Sequence, residues 1–200
     1  MAARKTGNDD SKARQRLLDA TVKVMIEQGY AAATSRRIAA EAGVKQALVY
    51  YYFPTMDDLF VHVLRSHGEG ALDRMRAAIT ADDPLRALWV LNSDETVAVL
   101  SAEFVALANH RKVIRDELRS FAERVRDIET AAATVALRTR GVDLDAYPPV
   151  AVSMLIAQIA RSLCNERAVG FAAGHDAMLA LVERQLEALA AYSPNDPGPS

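Results

Sequence analysis

The sequence predicts an all-α protein, with an N-terminal three-helix domain containing a helix-turn-helix, a C-terminal helical bundle, and about nine helices in all. Three features carry that expectation. Apolar residues recur at three- and four-residue spacing along most of the chain, and no segment alternates as a strand would. Local start and stop signals recur as well, including Thr55 ahead of Asp57 and Asp58, Asp83 before Pro84, and a glycine at Gly141. Finally, two short helices around Gly43 are flanked by Arg36, Arg37, Lys45, Gln46 and three successive tyrosines, where a merely solvated hairpin would carry Glu and Lys mixtures.

Met1 to about Asp10 is polar, with Arg4 and Lys5 as a candidate basic arm. The first helix is expected from about Asp10 or Ser11 to Gln28, with Leu17, Thr21, Val24 and Met25 as its apolar stripe and Gly29 as its stop. After the loop Gly29 to Ala33, Thr34 or Ser35 caps the second helix, which sets Ile38, Ala39 and Ala42 on one face. Gly43 supplies a left-handed turn, Val44 tucks back between the helices, and the small Ala39 lets the next helix come close. That third helix, about Gln46 to Phe53, turns Val49, Tyr52 and Phe53 inward and offers Lys45, Gln46, Ala47, Tyr50 and Tyr51 on its remaining face. Pro54 forbids its continuation. In a helix-turn-helix the second helix of the pair lies in the DNA major groove and the first crosses the phosphates.

The fourth helix, from near Thr55 to about Thr80, is expected to bury Phe60, Val63, Leu64, Ala71, Met75 and Ile79 and to bend or break at Gly68-Glu69-Gly70. It is the one evident mechanical link between reader and body. A short fifth helix after Pro84 presents Leu85, Leu88 and Trp89. The sixth, about Asp94 to Asn109, carries Val97, Val99, Leu100, Phe104, Val105 and Leu107 around much of its circumference, which predicts a surrounded helix. The seventh, about Lys112 to Arg138, is amphipathic, with Ile114, Leu118, Phe121, Val125, Ile128, Ala132 and Val135 on one side and Arg and Glu on the other. Pro148-Pro149 opens the eighth, which runs to about Arg167 and is apolar all round from Val150 to Ala160. The ninth, about His175 to Tyr192, sets Met178, Leu179, Val182, Leu186 and Leu189 on one side.

A bare face on the eighth helix would be a larger apolar patch than monomers usually expose. The last two helices are therefore expected to pair with those of a second copy in a four-helix interface, with Val152, Ile156, Ile159, Val182, Leu186 and Leu189 as candidate contacts. Ser193 to Ser200, SPNDPGPS, reads as a disordered tail.

Composition narrows the function. Half of the 200 residues are hydrophobic, enough for a sizeable core. The longest nearly uninterrupted apolar run is about half a bilayer span and the N-terminus is charged rather than signal-like, which predicts a cytoplasmic protein with no membrane partner. The formal charge of −2 is unevenly spread: up to Arg65 there are ten Lys/Arg against seven Asp/Glu (+3), and beyond it fourteen against nineteen (−5). A modestly basic head on an acidic body suits a few placed phosphate contacts multiplied by dimerisation. The histidines His62, His67, His110 and His175 form no HExxH or close metal pair, and the single Cys164 can make neither an internal disulfide nor alone a zinc site. No GxSxG elbow, phosphate-binding P-loop or dinucleotide fingerprint is present, so no catalytic residue, metal or cofactor is expected.

The run from Ala13 to Leu64, with LLDAT and then GYAAATSRRIAAEAGVKQALVYYYFPTMDDLF, resembles the DNA-binding domain of the TetR family of transcriptional regulators over about a quarter of the chain. The resemblance implies a DNA-binding domain over 1–54, a ligand-binding and dimerisation domain over 55–192, and a tail over 193–200. It further implies a homodimeric repressor on a palindromic double-stranded operator, released when a small-molecule effector changes the spacing of the two reading heads. Such a ligand must favour one state over the other. Ser35 matches a phosphate contact and Arg36 a base contact, with Arg37 beside them; Lys45, Gln46, Ala47 and Tyr50 match the base-reading face, and Tyr51 and Tyr52 backbone-contacting positions. Leu48 replaces a small or hydroxyl residue and Met56 a common lysine, exchanging a phosphate contact for apolar surface and removing a phosphate charge. On the helices that enclose the family's cavity, Trp89, Phe104, Phe121, Met154 and Cys164 are candidate lining residues and Asn92, His110 and Arg161 candidate polar handles, with the effector itself unknown. The competing expectation is an all-α enzyme or small-molecule binding protein whose N-terminal hairpin is structural.

Overall fold

The computed structural model describes Ala3 to Tyr192, with side chains from Asp10 onward. The tail over 193–200 and the side chains of Arg4 and Lys5 lie outside the described residues. Nine α-helices account for nearly all of that stretch: α1 (Ala3–Gln28), α2 (Ser35–Glu41), α3 (Gln46–Tyr52), α4 (Met56–Ile79), α5 (Pro84–Asn92), α6 (Glu95–Ala108), α7 (Lys112–Thr139), α8 (Pro149–Ala168) and α9 (His175–Ala191). A single 3-10 turn, Tyr30–Ala32, sits between α1 and α2. Among the described residues no helix is long and apolar enough to cross a membrane. The first helix starts earlier than its apolar stripe suggested, since a polar stretch without proline can extend a helix that packing has already nucleated.

The described residues form two compact units. The first takes the chain up to Glu69 together with Leu100–Phe121. Its core joins Leu17, Leu18, Val24 and Met25 of α1, Ile38 and Ala39 of α2, Val49 and Phe53 around α3, and Leu59, Phe60, Val63 and Leu64 of α4 to Phe104, Leu107 and Ile114. Thr21, polar yet fully buried, donates its hydroxyl proton to the Leu17 carbonyl at 2.7 Å, so it interrupts the stripe without an orphaned group. Thr55 and Asp58 form a reciprocal cap at the start of α4: the Asp58 amide donates to Thr55 Oγ1 at 3.1 Å and the Thr55 amide to Asp58 Oδ2 at 3.0 Å.

The break expected at Gly68 does not occur, and α4 is continuous. The glycine serves close approach instead: a Cβ built there would lie 2.9 Å from the Phe121 ring. Nor is α4 the sole structural support of the helix-turn-helix. The Tyr30 amide donates to Glu103 Oε2 of α6 at 2.6 Å, Arg65 makes a two-pronged ion pair with Glu117 of α7 at 2.7 and 2.9 Å, and Arg111 pairs with Asp57. Packing therefore runs on past Pro54, which ends a helix without ending the unit. The expectation of a surrounded α6 is also corrected: Phe104 and Leu107 are buried, but Val105 on another side is 53% exposed, and a single bare valine costs little.

The second unit comprises Gly70–Val99 and the residues from Ala122 onward. Its core is Ala78, Leu85, Leu88, Ala132, Ala133, Ala136, Leu137, Val142, Ile156 and Leu186, with α5 packed along α8. Asp83 caps α5 by accepting the Arg86 amide at 3.2 Å, with Pro84 in the first turn where its missing N–H costs nothing.

Candidate functional site

Geometry at the helix-turn-helix follows from one cap and one turn. Thr34 Oγ1 accepts the Arg37 amide at 3.3 Å, which starts α2 at Ser35. Ala42 ends α2 and Gly43 follows at φ 66, where the Val44 amide reaches the Ala39 carbonyl at 2.9 Å and the Gly43 amide the Ala40 carbonyl at 3.2 Å. This paired closure requires a left-handed residue, and glycine adopts it without a Cβ penalty. It returns the chain sharply enough for the first residue of α2 to meet the first turns of α3.

Ser35 is 7% exposed and its hydroxyl accepts Gln46 Nε2–H at 2.9 Å while lying 3.0 Å from the Tyr50 phenol oxygen. Three of the expected DNA-facing residues thus converge through one hydroxyl. Arg36, Lys45, Gln46, Ala47, Tyr50 and Tyr51 are exposed, and Tyr51 stands edge-on to Tyr52 with ring centroids 4.9 Å apart. Leu48 is half-buried.

Two of the expected contacts are engaged within the chain. Arg37 donates to Gln28 Oε1 and to Glu41 Oε2, each at 3.0 Å, and Lys23 completes the cluster at 2.6 Å from Glu41. The two cations, Lys23 foremost, hold the Glu41 carboxyl below its usual range. Arg37 therefore ties α2 to α1. Tyr52 donates to Asp10 Oδ1 at 2.9 Å, and burial, followed by the Asp10 carboxylate, pushes its phenol above the ordinary value. Positions on a short helix show which side a residue takes; they do not show that a partner 9 or 42 residues away will occupy it.

The candidate effector residues divide between the two units. Phe104, His110 and Phe121 belong to the first unit, where Phe104 is core and His110 is exposed and stacked on Tyr30 at 6.4 Å. Met154 is 43% exposed. Trp89 packs half-buried against the second core. Asn92 is different. Its Nδ2 donates to the Leu88 carbonyl at 3.0 Å and to Glu129 Oε1 at 3.1 Å, and Arg126 donates to the other Glu129 oxygen at 3.3 Å.

Glu129 is fully buried and was missed by sequence reading. Its signal was available: it lies four residues beyond Val125 and three before Ala132, inside the apolar stripe of α7. Burial pushes its carboxyl above the ordinary 4.5, against the lowering effects of the Asn92 hydrogen bond and the Arg126 and Arg161 charges. Arg161 itself donates from Nε to the Ala157 carbonyl at 3.3 Å, and Cys164, buried, donates from Sγ to the Ser93 carbonyl at 3.5 Å. Burial raises that thiol as well. The Ser93 hydroxyl is buried with no hydrogen-bond partner among the described residues. Two open hollows of the surface, about 600 Å³ beside Lys112 and Val113 and about 340 Å³ beside Val22 and Ile26, belong to the first unit and are lined by none of these groups.

A folded state that holds the Glu129 proton more tightly than the unfolded chain is favoured by this group at low pH, and loses that contribution as pH rises from 4.5 through the raised value. Thermal melts from pH ~4 to ~8 should show that loss in the wild type and a flatter profile in Glu129→Gln. Parallel profiles would remove Glu129 from the account.

Two of the six candidate interface residues turn inward. Ile156 and Leu186 are 9% and 4% exposed within the second unit's own core, and Val152, Val182 and Leu189 pack against it. Ile159 is half-buried. What α8 leaves exposed is Val150, Met154 and Leu155, at 42%, 43% and 63%, and α9 adds Leu181 at 41%. Both helices carry apolar residues on more than one side, so their patterns alone did not tell the inner side from the outer.

Comparison with known proteins places these features. Residues 17–63 match the family model described as "Bacterial regulatory proteins, tetR family". The chain is 29% identical over 117 residues to the HTH-type transcriptional regulator PksA of Bacillus subtilis, covering 54% of this chain and 57% of PksA. It is 32% identical over 123 residues to the HTH-type transcriptional regulator BetI of Rhizobium meliloti, covering 56% of this chain and 60% of BetI. The matched stretch thus spans somewhat over half the length of these relatives. In fold the chain is similar to a protein from Saccharomonospora viridis, assigned as a transcriptional regulator and solved in complex with choline, with a TM-score of 0.74 at 20% identity over 88% of this chain and 96% of that one.

Proposed function

We propose that this chain, whose residues 17–63 match the TetR family of bacterial regulatory proteins, is a cytoplasmic, homodimeric repressor that binds a palindromic operator and is released by a small-molecule effector. The observation that carries this reading is the exposure of Arg36, Lys45, Gln46, Ala47, Tyr50 and Tyr51 on and beside the two helices that one tight turn joins. Base edges are read by side chains of this kind from a helix in the major groove, while cations and hydroxyls hold the phosphates. Residues 1–54 are assigned to reading and 55–192 to effector binding and dimerisation. The S. viridis protein carries choline on the same fold, which supports a small-molecule site in this one. Asn92, Glu129 and Arg161 are the polar groups proposed to meet the effector, and the exposed apolar side chains Met154, Leu155 and Leu181 the dimer contacts.

Mobility-shift titrations with the chain's own upstream DNA test the reading. Each phosphate neutralised contributes a slope of about −0.9 to log K against log salt, so binding should weaken steeply with salt and retain a sequence preference throughout. Equal binding to the upstream fragment and to unrelated duplex at every salt concentration would refute it.

A further inference from the structure

We propose that Ser35 is a positioning residue for base reading, whose hydroxyl orients the Gln46 amide so that Gln46 selects adenine in each half-site. The inference rests on the DNA-binding reading above. A serine hydroxyl has one proton to give and two lone pairs to receive with. Here Gln46 Nε2–H occupies one lone pair at 2.9 Å, and the Tyr50 phenol oxygen stands 3.0 Å away, within reach of the second lone pair or of the proton. At 7% exposure Ser35 has little surface left for a phosphate, in contrast with the contact the sequence pattern implies for it.

The consequence falls on Gln46, which is exposed. One of its amide hydrogens is held by Ser35, and the second hydrogen and the carbonyl oxygen remain free. One donor beside one acceptor is the pattern that pairs with adenine N7 and N6 in the major groove. Turning the amide over would aim its carbonyl at Ser35 and leave two donors outward, the pattern that suits the two guanine acceptors. That reversal needs the Ser35 proton turned toward Gln46, with the Tyr50 phenol donating to the serine oxygen. Turning the amide therefore requires the hydroxyls beside it to reorient with it, which couples the three residues as one reader.

The test uses the full-length protein and an operator panel in which each base pair of a half-site is changed in turn. Wild type should lose roughly 5- to 150-fold in affinity at one A·T to G·C change, the span of one good bidentate contact. Gln46→Ala should erase that preference. Ser35→Ala and Tyr50→Phe should each reduce it to within about twofold while the best operator is still bound, because either frees the amide to turn. Ser35→Thr, which keeps the hydroxyl, should retain it. Tyr50→Phe preserves the ring of a half-exposed side chain and so keeps the test open if Ser35→Ala fails to fold. Uniform weakening of all operators by Ser35→Ala and Tyr50→Phe, with the wild-type preference intact, would overturn the positioning role and leave DNA reading standing. A guanine preference at the position that Gln46→Ala erases would overturn the adenine assignment. A wild type without any operator preference would defeat both the underlying reading and this one.

Discussion

Leu155→Glu is expected to yield a folded monomer that binds operator roughly 10²- to 10⁴-fold more weakly than the wild type, the range over which linking two sites raises avidity. Leu155 is 63% exposed on α8, so a carboxylate there meets water in the single chain and costs the fold little. In a dimer whose seam includes Leu155, Met154 and Leu181, the same carboxylate would be buried against its twofold copy, unpaired and facing like charge. Two heads that no longer share one body must each bind a half-site alone. Sedimentation together with circular dichroism reads the outcome: a dimer that persists in Leu155→Glu places the seam elsewhere, and a wild-type monomer at micromolar concentration removes the dimer altogether.

Leu186→Glu should behave in the opposite way. Its side chain is 4% exposed inside the core that contains Leu85, Leu88, Leu137 and Ile156. Removing a buried leucine costs about 2–5 kcal/mol before any charge is considered. A carboxylate among those side chains must then be desolvated or protonated, which adds to the loss. Against a total stability of about 5–15 kcal/mol, the second unit should lose cooperative unfolding and much of its helical signal at neutral pH. A soluble, fully helical monomer from Leu186→Glu would reverse the assignment of inner and outer faces, and the two variants are best measured side by side.

The sequence by itself determined the helix-turn-helix and most helix limits, because their causes are local. Thr34, Gly43, Thr55, Asp83 and Gly141 act through hydrogen bonds or backbone angles within a few residues, and these are readable without knowing the fold. Core positions of α1 were equally legible, since a helix with one apolar side has only one way to turn it.

Tertiary structure alone decided the rest. Arg37 and Ser35 stand at positions that suit DNA, yet Gln28, Glu41, Gln46 and Tyr50 claim them, and those partners come from packing of separate helices. Gly68 looked like a helix breaker until Phe121 arrived against it from far along the chain. Glu129 passed as one more charge on a wet face, although the surrounding elements cover that part of α7 and leave it desolvated beside Asn92. On α8 and α9 apolar residues occupy several sides, so periodicity identifies which residues share a face but not which face turns inward. That choice is made by the neighbours a helix packs against, and it moved the proposed seam from Leu186 to Leu155.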